Sequence, residues 1–314
     1  MSKATTNYTD LSYVAEVTPG VIPDNPVFQL LPTTGGALAL TITTEVSEVI
    51  RSDRQIDDLV PVDAEVTGDI NFELSYTPWK PLIIELLRTP DAANPYKNGF
   101  EAPGTFTFCK RIIVGNVTNY FYYTGCVIGS MTLNFATGTR LTGMLNIMGR
   151  EETATTTPLA GQSFTDVAEY AIMNSVSNLM IAITDLPAET CFQKLDLTIA
   201  NNSTGAKCIG IFGASDIQDF ALDVTGAIET YFEDLVLYNK FLDSQAFSVT
   251  ITLTDSLMNE IEIVLPKCKF EELSVPIPGK NQFLSMPGSI RALREPVGNY
   301  TVSVAFTDGA APSV

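Results

Sequence analysis

Glu65-Val66-Thr67-Gly68-Asp69-Ile70-Asn71-Phe72-Glu73-Leu74 returns 158 positions later as Asp223-Val224-Thr225-Gly226-Ala227-Ile228-Glu229-Thr230-Tyr231-Phe232. In the first copy Ile70, Phe72 and Leu74 alternate with Asp69, Asn71 and Glu73, the two-residue period of a strand with one dry and one wet face. Upstream, Leu40-Thr41-Ile42 is matched by Leu197-Thr198-Ile199 at a spacing of 157. Downstream, each strand runs into a helical pattern. Over 79–88, Trp79, Leu82, Ile83, Leu86 and Leu87 share one face; Pro78 and Pro81 fit a first turn and Thr89-Pro90 a stop. Over 235–242, Leu235, Tyr238, Phe241 and Leu242 do the same. Cys126 then answers to Cys268, only 142 positions on, which assigns 16 extra residues of the first copy to the turn-rich run 89–104. Four ordered matches with one loop-sized offset imply two tandem β–α–β units, over 1–158 and 159–314, with the polar run 151–158 as linker.

The remaining pattern is mainly β. Alternating apolar runs predict strands over 38–44, 65–76, 104–114, 120–136 and 141–148 in the first half. In the second half they predict strands over 194–201, 206–212, 221–232, 246–253, 260–266, 269–277 and 283–292. A last strand over 300–306 either closes the second unit or, with the tail to 314, reaches a neighbour.

Composition removes most chemistry. The 314 residues contain no histidine, so no Ser-His-Asp or Cys-His arrangement and no histidine metal site is possible. Net charge is −18, which repels a phosphate backbone and argues against tight duplex binding. Five cysteines, Cys109, Cys126, Cys191, Cys208 and Cys268, are scattered without a C-x-x-C spacing and read as free thiols of a reducing compartment. The start lacks a secretory apolar stretch, and no apolar run approaches the length of a membrane helix. Phosphate-binding glycine motifs and calcium loops are absent. Adjacent acids at Asp57-Asp58, Glu151-Glu152 and Glu271-Glu272 do not form a hydrolytic pair, because neighbours on a strand point to opposite faces. No catalytic residue, cofactor or metal site is expected.

Interface chemistry is what the sequence does carry. The run 43–62 mixes both signs of charge with Val46, Val49, Ile50, Ile56, Leu59 and Val60, too many apolar groups for a solvated hairpin tip, and reads as a docking arm. Arg51 and Arg54 suit bidentate pairing with carboxylates of another subunit. Residues 13–32 are extended and proline-punctuated, either an arm laid on a neighbour or an edge strand. Wet faces recur: Asp69, Asn71 and Glu73; Glu229; Thr132 and Asn134 behind Met131, Leu133 and Phe135; Glu272 and Ser274 behind Leu273, Val275 and Ile277. They form either an ordinary outer surface or, joined across subunits, the lining of a water-filled channel.

With these residues in view, the chain resembles the major tail tube proteins of bacteriophages with long, non-contractile tails, the siphovirus type. The likeness is carried by Thr18-Pro19-Gly20, by Ser47-Glu48-Val49-Ile50-Arg51-Ser52-Asp53-Arg54-Gln55, by Val66-Thr67-Gly68-Asp69-Ile70 and by the strand–helix run to Leu87. It implies two tandem tail-tube-like β-sandwich units, each with a flanking helix, whose sheets join between subunits into a β-barrel ring. Six units per ring imply three chains, a pseudo-hexameric homotrimer, stacked into the conduit for DNA ejection into the host. Val49, Ile50, Arg51, Ser52, Asp53, Arg54 and Gln55 would touch the next ring. Asp69, Asn71, Glu73, Thr132, Asn134, Glu229, Glu272 and Ser274 would face the lumen, where an acidic surface lets a polyanion slide. The resemblance also implies a structural virion protein assembled in the host cytoplasm, with tape measure, tail terminator and distal tail proteins as partners, DNA in transit only, and no membrane or enzymatic role. Another tail ring or baseplate hub component, or a carbohydrate-binding β-sandwich, is the alternative.

Overall fold

The computed structural model describes residues 3–90, 92–176, 179–184, 186 and 190–309. In the first half the strands are β1 (Thr9–Ala15), β2 (Val27–Leu31), β3 (Thr33–Gly36), β4 (Ala39–Val46) and β5 (Leu59–Glu73), then helix α1 (Tyr76–Leu86). They continue as β6 (Tyr96–Lys97), β7 (Phe106–Val114), β8 (Val117–Ala136), β9 (Thr142–Gly149), β10 (Glu151–Thr155) and β11 (Ser163–Thr165). The second half holds β12 (Leu179–Ile183), β13 (Phe192–Ala200), β14 (Thr204–Ala206), β15 (Asp216–Gln218), β16 (Asp223–Tyr231) and helix α2 (Val236–Leu242). It ends with β17 (Phe247–Thr254), β18 (Glu260–Leu273), β19 (Ser285–Ala292) and β20 (Ser303–Thr307). The molecule is mainly β, as the alternation predicts.

One pairing scheme occurs twice. In the first half the inner sheet runs β4–β5–β9–β8, with β3 extending the β4 edge; in the second it runs β13–β16–β19–β18. Registers agree residue for residue: Gly68 faces Ile147 as Gly226 faces Ile290, and Phe106 faces Cys126 as Phe247 faces Cys268. Even the bulges coincide, between Ile128 and Ser130 in β8 and between Phe270 and Glu272 in β18. Such a bulge bends a strand. The early parts of β8 and β18 lie in outer sheets, with β1, β7 and β10 in one case and with β12, β17 and β20 in the other. Their late parts cross into the inner sheet. At the centre of the molecule β8 pairs antiparallel with β13, Ala136 to Lys194 through Ser130 to Ala200, which fuses the two inner sheets into one of eight strands.

The core follows this continuity. A single apolar cluster extends from Ile70, Phe72 and Trp79 across Leu133 and Phe135 to Leu195, Leu197 and Ile263. Trp79 stacks on Phe72 with ring centroids 4.1 Å apart, and Phe72 lies over Gly143, where any Cβ would collide with the ring. The α1 positions expected to be apolar, Trp79, Leu82, Ile83, Leu86 and Leu87, are all buried.

Several expectations need correction. The 151–158 linker contains β10, paired with β8 from Glu151–Thr124 to Thr155–Tyr120; its short polar residues suit an outer edge strand as well as a loop. Residues 206–212 form no strand beyond the end of β14. Helix α1 begins at Tyr76, so Pro81 falls inside it rather than in the first turn. In α2, Leu235 and Leu242 are exposed; Leu237 and Lys240 are buried, and Tyr238 and Phe241 lie partly buried beside Leu237. The Leu40–Leu197 match is two positions out of register: Leu40 faces Val66 and Ile199 faces Val224, so Leu40 answers to Ile199. A slip of two keeps every side chain on its face, which is why the sequence pattern hides it. Residues 13–32 hold the end of β1 and all of β2, a hairpin of the first outer sheet with β11 paired beyond it, and β20 joins the second outer sheet, with β6 of the first half paired beyond it. Asp91 of the 89–104 loop and tail residues 310–314 lie outside the described residues.

Candidate functional site: a polar sheet face and an exposed loop

The eight-stranded inner sheet buries one face and leaves the other wet. Ile70, Phe72, Leu145, Met131, Leu133, Leu195, Leu197, Ile228 and Ile290 fill the buried side. On the wet side, cross-strand neighbours form rows. Glu73, Thr142, Asn134, Asp196, Ala227, Ser289 and Glu272 make one row, and Asn71, Met144, Thr132, Thr198, Thr225 and Arg291 the next. Asp69, Asn146, Ser130, Ala200 and Asp223 make a third. Glu229 faces Pro287, whose carbonyl accepts from the Ser274 amide at 3.0 Å. All eight residues singled out from the wet-face pattern therefore share this one face, and none is buried.

Carboxylates outnumber cations there. Asp69, Glu73, Asp196, Asp223, Glu229, Glu271 and Glu272 stand against Arg140, Lys194, Lys269 and Arg291; the bulge between Phe270 and Glu272 brings both Glu271 and Glu272 to this face, although strict alternation would part them. The cations are largely tied down: Arg140 pairs with Glu73, Lys194 with Asp196 at 2.5 Å, and Arg291 bridges Glu271 and Asp223. These partners hold the Lys194 and Arg291 pKa values above their ordinary range. Asp69, hydrogen-bonded by the Asn146 amide at 2.9 Å, Glu229 and Glu272 have no ion pair among the described residues. The pairs sequence reasoning missed are legible in hindsight, since Lys194, Asp196 and Thr198 alternate with Leu195, Leu197 and Ile199. At one end the face is covered: Ala214 and Ile217, from the segment joining β13 to β16, pack on Val127 and Met148.

The loop joining β4 to β5 projects from this same end of the inner sheet, where Asp63 of β5 meets Lys207 of the covering segment. Every residue from Glu48 to Val62 is exposed, and Ile50 is 100% exposed. Arg51 and Arg54 take different roles. Arg51 donates to Asp53 at 3.1 Å and pairs with Asp57, fastening the loop to itself and holding the Asp53 carboxyl below its usual range. Arg54, at φ +60°, has no ion pair among the described residues. The equivalent segment of the second half, between β13 and β16, folds back instead. Lys207 pairs with Asp63, Arg150 with Asp216 at 2.5 Å, and Arg88 with Asp219 at 2.6 Å. The Arg88 guanidinium is 4% exposed and also donates to the carbonyls of Glu85 and Ile128; Asn201 caps the Leu86 carbonyl at 2.9 Å.

Among the described residues no group of three or more Cys, Asp or Glu side chains is placed to hold a metal ion, and no helix is long and apolar enough to cross a membrane. Burial raises the thiols of Cys109 and Cys268 to about 12 and that of Cys126 further, away from the reactive range. The single tryptophan, Trp79, is fully buried and offers no platform for a sugar.

Against known families, the family model for phage tail tube proteins matches residues 6–307. No curated protein matches the chain.

Proposed function

Because the chain belongs to the phage tail tube protein family and is a structural virion component, we propose that it builds the tube itself. Three chains, each contributing two four-stranded inner sheets, close into a pseudo-hexameric ring, and stacked rings form the conduit for DNA ejection. The tail is of the long, non-contractile type, in keeping with the run Ile50–Gln55. The repeated register carries this reading: each half presents the same four strands, and β8 already joins β13 in the way a ring needs every sheet to join the next. The units then run over 1–158 and 159–314, with β11 returning to pair with β2 of the first.

The polar face lines the bore. Its surplus of carboxylates repels phosphate, and three of its four cations, Arg140, Lys194 and Arg291, are engaged by neighbouring acids, so DNA passes without being held. The β4–β5 loop, with Val49, Ile50, Arg51, Ser52, Asp53, Arg54 and Gln55 at its tip, reaches the next ring. Tape measure, tail terminator and distal tail proteins meet the tube inside and at its ends, and assembly takes place in the host cytoplasm. Electron microscopy of the purified protein at rising concentration tests the whole reading: rings or tubes with a central hole are expected, and a monodisperse monomer at high concentration rejects it.

A further inference from the structure

Two strand edges of the inner sheet are left without a partner strand among the described residues, and they match the two that meet inside the chain. At one end, β3 and β4 pair only with β5. At the other, β18 beyond Cys268 pairs only with β19. The repeated register maps β8 onto β18 and β13 onto β3–β4, so the internal joint, Met131 opposite Ile199 and Phe135 opposite Leu195, is a template for an external one. Resting on the ring reading, we propose that residues 273–277 of one copy pair antiparallel with residues 36–40 of a second copy of this chain. Leu273 stands opposite Leu40, Ser274 opposite Ala39, Val275 opposite Leu38 and Ile277 opposite Gly36.

Backbone polarity supports this register independently. The Ala37 amide donates inward to Asp69, so Gly36, Leu38 and Leu40 present their groups outward. The Ser274 amide donates inward to Pro287, so Leu273, Val275 and Ile277 present theirs outward. A slip by one residue would set outward groups against inward ones. Pro276 and Pro278 fit as well, since each lacks an amide only on the β19 side. Until a partner arrives the edge is guarded: Lys110 donates to the Leu38 carbonyl at 3.2 Å, and the Leu40 amide donates to Glu152 at 3.2 Å. Charged guards of this kind keep a free edge from indiscriminate pairing.

Side chains complement too. In the internal joint Phe135 is 1% exposed against Leu195; at the free edges Ile277 is 91% exposed, and bare Gly36 borders a groove of about 310 Å³ with Leu11, Leu38 and Ile70 among its walls. Ile277 of one copy fills that groove of the next.

Ala39 and Ser274 answer to Thr198 and Thr132, whose hydroxyl oxygens lie 3.1 Å apart, a separation that two cysteines can bridge. In a background with exposed Cys191 and Cys208 changed to Ser, Ala39→Cys with Ser274→Cys is oxidised by air with a copper–phenanthroline catalyst and run on a non-reducing gel. A covalent trimer is expected, with no bond when Ala39→Cys is combined instead with Glu272→Cys or Pro276→Cys. Bonding by a shifted pair, or tubes in the microscope with no bond from the 39/274 pair, overturns the register while leaving the tube reading intact. Monomers in both assays overturn both. Ile277→Asp should raise the concentration needed for assembly about tenfold or more with an unchanged melting curve; normal assembly by this variant also overturns the proposal.

Discussion

Arg88 shows what a single residue does here. Its guanidinium sits at the C-terminal end of α1 in the first half, yet its counter-ion, Asp219, comes from the segment before β16 in the second. Removing one member of such a pair leaves a charge stranded away from water, which costs far more than losing an exposed pair. Asp219→Ala should therefore destabilise the protein by about 3 kcal/mol in urea unfolding. Asp63→Ala, which frees the exposed Lys207, should change little. Equal effects of the two substitutions would contradict the assignment of Arg88 as a buried tie between the halves.

Elements explain why two equivalent segments behave differently. Both connect the first inner strand of a repeat to the second, but the β13–β16 segment is held down by Ala214 and Ile217 on Val127 and Met148 and by its three ion pairs to the first half. The β4–β5 loop has no such anchors among the described residues and keeps its apolar side chains in water, an arrangement that marks an interaction surface. Arg51 and Arg54 both looked available for a partner, but Arg51 is spent on Asp53 and Asp57, so the cleaner test is elsewhere. Ile50→Asp or Arg54→Glu should leave circular dichroism and the melting curve unaltered while reducing tube formation to isolated rings in electron micrographs. Long tubes from both variants would remove the docking role.

At the scale of the whole molecule, function turns on the sign of one surface. Asp69 and Glu229 lie on the polar face without ion-pair partners among the described residues, so replacing both by lysine adds uncompensated positive charge without breaking an existing pair. Phage carrying Asp69→Lys with Glu229→Lys should form tails of normal appearance but deliver their genomes about tenfold less efficiently, because phosphate would now bind the wall. Undiminished plaque counts with intact tails would show that this face does not meet DNA.

The sequence by itself determined that the chain is mainly β, which face of each inner strand is dry, that α1 buries Trp79 and its i+3 and i+4 neighbours, and that a strand–helix pattern recurs. These are properties of residues near one another along the chain, where a two- or four-residue period leaves a readable trace. It also exposed the eight polar residues of the wet face. Only the tertiary structure decided that Arg51 closes on its own loop, that Leu235 and Leu242 point to water, that the polar 151–158 run is a strand, and that β8 and β13 make one sheet. Each depends on a partner supplied from elsewhere: a carboxylate, a neighbouring strand or a covering segment. Local pattern cannot rank such partners, because a register slip of two, like the one separating Leu40 from its true counterpart Ile199, leaves every periodicity unchanged while moving every contact.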